Sequence, residues 1–178
     1  MKSLYHYETR YNGRKIIIDT AQLPGGQYET MVMYSNGDEL SSHTTPDPDK
    51  AADAFAAAVE LYERMEDARP LVGKYAALAD ALTAAVGAAK AHLFDDDGGT
   101  CNFDAPALYL PHWSGHEIER AARAAGLRCF TWSLGKKKRY VFSVPVPGQG
   151  NRRSNAAEAM TAALEAAGYD ALTYCQMD

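Results

Sequence analysis

The sequence is poor in cysteine. Cys101, Cys129 and Cys175 are its only three, far apart and odd in number. A disulfide framework is therefore not expected, and a reducing, cytoplasmic compartment fits that usage. Long apolar runs are missing too. No stretch approaches the roughly 18–20 residues that a membrane span needs. Met1-Lys2-Ser3-Leu4-Tyr5-His6-Tyr7-Glu8 lacks the apolar core of a signal peptide, so no membrane partner is expected. The signatures of catalysis are also wanting. There is no Gly-x-Ser-x-Gly, no Cys-x-x-Cys, no cysteine in a nucleophile's setting and no phosphate loop ending in Gly-Lys-Ser/Thr. Catalytic residues, cofactor and metal are accordingly all expected to be none. No repeat of fixed period is apparent.

What remains is ordinary globular material. The chain has 178 residues, 47% hydrophobic and 23% charged, enough for one good core or two small ones. Its first half reads as an antiparallel meander. Leu4 to Tyr11 and Arg14 to Thr20 flank Asn12-Gly13, a pair that tolerates the positive φ of a tight hairpin. Tyr28 to Tyr34 is a third strand, and Asn36-Gly37 turns it into a fourth ending near His43. Asp47 then offers an N-cap with Pro48 at the first helical position. Phe55, Val59, Tyr62 and Met65 recur at helical spacing, and an Ala-rich helix follows from Leu71 to Leu93. Residues 1–94 form the first expected module: a β-meander with two helices.

Residues 95–178 form the second. Ala107 to Leu110 is a strand. Ser114 with Glu117 reads as a capping box opening a helix that stops before Gly126. Leu127 to Leu134 and Arg139 to Val144 are strands around a hairpin tip. Asn155 with Glu158 opens a helix ending before Gly168, and Ala171 to Gln176 is the last strand. Strand–helix–strand–strand–helix–strand is the βαββαβ arrangement of a ferredoxin-like sandwich, so the expected class is α+β. By alternation, Tyr109, Phe130, Trp132, Tyr140, Phe142 and Tyr174 would share one sheet face, and Leu108, Leu110, Cys129, Thr131, Val141, Ser143, Thr173 and Cys175 the other. Two helices cover one face only. The remaining face needs the first module, a second copy of the chain or a ligand.

Charge is the sharpest anomaly. The chain carries a net −5, yet Leu127 to Asn155 holds Arg128, Lys136, Lys137, Lys138, Arg139, Arg152 and Arg153 with no acidic residue. Two guanidinium groups before a helix start, beside Gly148-Gln149-Gly150, suit a phosphate; a solvated turn is the plainer account. Leu108-Tyr109-Leu110 and Arg139-Tyr140-Val141-Phe142 resemble the first- and third-strand motifs of the RNA-recognition motif, where aromatics stack bases. The glycines of the third-strand motif are missing, and ordinary packing accounts for the same aromatics. Asp95-Asp96-Asp97 with Asp104 could take a hard cation, though a solvated turn explains it. His112 and His116 lack the further ligands zinc requires; either could serve a nuclease as acid–base.

Gly99-Thr100-Cys101-Asn102-Phe103-Asp104, Gly148-Gln149-Gly150-Asn151-Arg152-Arg153 and Ala167-Gly168-Tyr169-Asp170-Ala171 resemble segments of small uncharacterised proteins from conjugative elements and phages of gut Firmicutes. That resemblance covers about the last 80 residues and implies a mobile-element setting, where proteins of this size include anti-CRISPR inhibitors. The expectation is thus a nucleic-acid- or nucleoprotein-binding accessory protein, in its concrete form an inhibitor docking on a guide-RNA-loaded effector. Arg128, Lys136, Lys137, Lys138, Arg139, Tyr140, Arg152 and Arg153 would make the contact. A small ribonuclease or other phosphodiesterase, and a structural module that homodimerises through its aromatic face, are the alternatives.

Overall fold

A computed structural model describes residues 3–91, 98–99, 102–134, 137–147 and 150–177. The chain divides into two compact units, Met1–Pro70 and Leu71–Asp178. The class is α+β, with a four-stranded antiparallel sheet in each unit. The division falls well before residue 94. The Ala-rich helix belongs with the second core, which leaves one helix, not two, to the first unit. Among the described residues, no helix is long and apolar enough to cross a membrane.

The first unit orders its strands β1 (Ser3–Tyr11), β2 (Arg14–Gln22), β3 (Tyr28–Tyr34) and β4 (Glu39–Thr45) as a simple meander. Asn12 and Gly13 both have positive φ, 51° and 74°, which is the backbone a two-residue hairpin demands. Helix α1 (Pro48–Ala68) starts as expected: the Asp47 side chain accepts from the Asp49 and Lys50 amides. Its apolar stripe packs on Ile16, Ile18 and Val32, with Tyr62 buried and Phe55 and Val59 half-buried. Met65 is exposed instead, and Glu66 takes the buried position. Its carboxylate accepts from the Gly13 amide at 3.0 Å and from Arg69 Nη2 at 2.8 Å, tying the hairpin tip to the end of the helix.

In the second unit, α2 (Lys74–Ala91) precedes β5 (Asn102–Leu108), α3 (Gly115–Ala124), β6 (Cys129–Leu134), β7 (Lys137–Phe142), α4 (Gly150–Ala166) and β8 (Ala171–Met177). The sheet runs β6-β7-β5-β8, wholly antiparallel, which is the ferredoxin-like order. Helices α3 and α4 lie on one side of it, and α2 packs on both as a third layer. Leu78, Leu82, Ala85 and Ala89 of α2 share a core with Ala156, Ala157, Met160 and Leu164 of α4; the alanines let the helices approach closely. Neither capping box forms. Ser114 stands at the N-cap of α3 without a side-chain cap bond, and Glu117 bonds Arg120 instead. Helix α4 begins at Gly150, so Asn155 and Glu158 lie inside it.

Candidate nucleic-acid interface

Register decides which rings are available. Directly paired residues of neighbouring strands point to the same face. Cys129 pairs with Phe142, Thr131 with Tyr140, and Leu108 with both Tyr140 and Ala171. These residues face the helices. Tyr140 and Phe142 are 6% and 0% exposed, and a Cβ added at Gly115 of α3 would lie 3.3 Å from the Tyr140 hydroxyl. The expected grouping of Tyr140 and Phe142 with the other aromatics is therefore wrong. Tyr140 is a core residue, not a contact residue. The expectation failed because alternation sorts faces only within a strand: β6 and β7 pair Phe130 with Val141 and Thr131 with Tyr140, a register that sets the rings of the two strands on opposite faces.

The opposite face carries Phe130, Trp132, Val141, Arg139, Ala105, Ala107, Phe103, Leu172 and Tyr174. Its large rings stand mainly on the two edge strands, and its small residues on the two central ones. Strands are about 4.8 Å apart, so β6 and β8 are separated by about 14 Å. Yet the Trp132 and Tyr174 rings meet at 4.4 Å, edge on. Both side chains lean inward across β7 and β5. Phe103 completes the layer, 5.6 Å from Phe130 and 6.2 Å from Tyr174. Ala105, Ala107 and Val141 beneath it are 0% exposed, while Phe130 remains 40% exposed. The sheet thus roofs its own free face with rings. Phe103 escaped the sequence reading because β5 was begun five residues too late. The visible signal was the alternate alanines, Ala105 and Ala107, in a strand otherwise lined with large residues.

Among the described residues, the basic window does not converge. Lys137 and Lys138 are successive residues of β7 and so face opposite ways. Lys137 Nζ lies 4.9 Å from the Tyr109 ring centroid on the aromatic side; Lys138 Nζ lies 5.4 Å from that of Tyr140 on the other. Arg139 is 6% exposed, donating to the Asp170 carboxylate at 2.9 Å and its carbonyl at 3.1 Å. Arg152 and Arg153 lie in the first turn of α4, not ahead of it, and both are half-buried. Arg152 is engaged within the protein. Arg153 Nε donates to the Asp104 carbonyl, and its guanidinium sits 4.9 Å over Phe103. Arg128 is exposed, with its backbone paired to Ser143. Lys136 lies outside the described residues. Lys137 to Phe142 is five residue-to-residue steps, so about 16 Å of strand separates the hairpin-tip cations from those beside Ser143 and Asp104.

Other expected sites fare as follows. Asp95 to Asp97 and Cys101 lie outside the described residues. Asp104 is 1% exposed; its carboxylate accepts from the Ser154 hydroxyl, which ties β5 to α4. His112 has left-handed backbone, φ 62°, in the turn after β5, and His116 lies in the first turn of α3. Burial, and then the charge of Glu119, push the Cys129 thiol up to about 12, which suits an inert core thiol. Comparison of the chain with protein-family models, with curated proteins and with solved structures found no match.

Proposed function

We propose that this chain is a nucleic-acid- or nucleoprotein-binding accessory protein, and that it binds through the aromatic roof of its C-terminal sheet rather than through one continuous basic patch. The observation that carries this reading is the ring layer of Phe103, Phe130, Trp132 and Tyr174, with Phe130 40% exposed and a cation at each end of the face: Arg153 on Phe103, Lys137 on Tyr109. Flat rings accept unpaired bases in any sequence, and stacking is worth about 1–3 kcal/mol per base. Cations at the two ends suit a backbone passing across the sheet. The concrete form favoured by the likeness to mobile-element proteins is an inhibitor docking on a guide-RNA-loaded effector, whose exposed RNA would supply such bases.

The test is fluorescence titration with a short single-stranded RNA. Trp132 and Trp113 are the only two tryptophans, so a Trp113→Phe protein reports the roof alone. Saturable quenching, lost in Phe130→Ala, is expected. Few phosphates are contacted, so the log–log salt slope should be shallow, about −1.5 to −2 for two or three phosphates at roughly −0.7 each. RNA recovered intact with and without EDTA would set aside a phosphodiesterase. No quenching, combined with a dimer in light scattering that Phe130→Ala dissolves, would replace this reading with self-association.

A further inference from the structure

A second aromatic cluster stands at the start of α2, formed by different residues from those of the sheet roof. Lys74, the first residue of that helix, places its ammonium 4.5 Å from the Trp113 ring centroid and 5.2 Å from that of Tyr75. The two rings meet edge to face at 5.3 Å, 83° apart, so they form two walls of a corner rather than a stack. Tyr169 packs against Trp113, 6.5 Å away and inclined at 67°.

The corner is fixed from several sides. The Ser114 amide donates to the Tyr75 hydroxyl at 3.1 Å, and the Trp113 amide donates to the Leu110 carbonyl. The Tyr169 amide donates to the Leu164 carbonyl at the end of α4. Two segments distant in sequence thus hold two ring walls against one cation, and a third packs the Tyr169 ring against Trp113. Burial, and then the charge of Asp80, push the Tyr169 phenol up. Inclined ring walls offer an organic cation their negative faces. Lys74 itself is exposed, so its side chain can leave the corner without opening the core.

We infer that the Tyr75–Trp113 corner, backed by Tyr169 on Trp113, is a binding site for an alkylammonium group, in which Lys74 stands as an internal occupant that an external cation displaces. The ligand class is an ammonium head on an alkyl chain, borne either by a lysine side chain of a partner protein or by a quaternary ammonium compound.

Two-dimensional NMR of the full chain reads the site through the Trp113 indole N–H, assigned with Trp132→Phe. The probes are n-butylammonium, standing for an unmodified lysine, and tetramethylammonium, standing for a quaternary head. 2,2-Dimethylpropan-1-ol serves as an uncharged control of similar bulk. In Lys74→Ala, a saturable shift with the ammonium probes and none with the alcohol is expected. In the unsubstituted protein the same shift should need about two- to five-fold more probe, the competition that one exposed cation–π contact represents. Preference for one probe names the source. Tyr169→Leu, in the loop after α4, should weaken the response while leaving the other signals of the spectrum in place. The inference is overturned if the Trp113 signal stays still in Lys74→Ala, or if it follows the alcohol as readily as the cations.

Discussion

The two units solve one problem in opposite ways. Each has a four-stranded antiparallel sheet with helix on one side, and each must do something with the other side. In the first unit the free face is mixed, with charged residues on β1 and β2 beside half-buried Ile17, Met31 and Met33. His6, Glu8, Lys15 and Asp19 stand there, with Lys15 and Glu8 paired at 2.7 Å and His6 Nδ1 3.1 Å from Asp19. In the second unit the free face is roofed by its own rings over an alanine floor. The cores differ to match. The first is small, Ile16, Ile18, Val32 and Tyr62, and is supplemented by buried polar contacts such as Thr20 to Thr30 at 2.8 Å and the Glu66 cluster. The second is a continuous apolar body shared by sheet and three helices. The first sheet interleaves its apolar residues with charged ones on the free face, whereas the second displays a half-exposed phenylalanine among other rings and presents a surface for a partner.

The largest expected effect strikes the polar side of this contrast. Glu66→Ala removes the acceptor of the Gly13 amide and of Arg69 Nε and Nη2. Breaking a buried ion pair by removing one partner costs about 3–5 kcal/mol. Denaturant unfolding followed by circular dichroism should show the loss. A loss below about 1 kcal/mol would mean that the small apolar core holds the first unit without this latch.

A smaller effect tests the roof. Ala107→Leu pushes a larger side chain up into the Trp132–Tyr174 contact and should cost about 1–3 kcal/mol by overpacking, with a changed near-ultraviolet dichroism. Ser42→Leu adds the same side chain to the free face of the first sheet, where Ser42 is exposed beside Met31, and should stay within about 0.5 kcal/mol. Equal costs at both positions would erase the distinction between a roofed and an open face.

The roof also shows where the sequence was legible. Signals made by neighbours in the chain were readable: Asn12-Gly13, Asp47-Pro48, and the order of elements that implied a ferredoxin-like sheet. Signals made across the chain were not. Arg139 looked like one of seven free cations because its partner, Asp170, is thirty-one residues away. Tyr140 looked like a stacking residue because its neighbour Arg139 gave the stretch the flavour of a nucleic-acid strand, while the register that buries it is set by Leu108. Helix α4 was begun at Asn155 because a Ser/Asn-x-x-Glu pattern also occurs inside helices. Ser154 spends its hydroxyl on Asp104 of β5, a pairing the local pattern cannot reveal.

Phe130→Ala separates stability from binding on the roof. The ring is 40% exposed, so its removal should cost about 1 kcal/mol or less of folding stability, well below the about 3–5 kcal/mol typical of a buried phenylalanine. Affinity for single-stranded RNA should fall about ten-fold, the low-to-middle range for one stacked base. A stability loss as large as that of a core ring, with affinity unchanged, would make Phe130 part of the floor rather than of the surface.

The smallest effect belongs to the charged residues of the first sheet's free face. Glu8 is exposed, and the hydrogen bond from Lys15 holds its carboxyl below the usual range, with His6 adding to the pull. A depressed carboxyl stabilises the fold above its ordinary titration range, and that contribution is lost as pH falls through the folded value. Glu8→Gln should therefore lower Tm slightly at pH 7, and the difference should shrink as pH falls through the folded-state value of Glu8. Added salt should shrink the difference at pH 7, since an exposed pair is screened. A difference that persisted in 1 M salt would mean that Glu8 acts through packing, and the free face of the first sheet would then be less open than its charges imply.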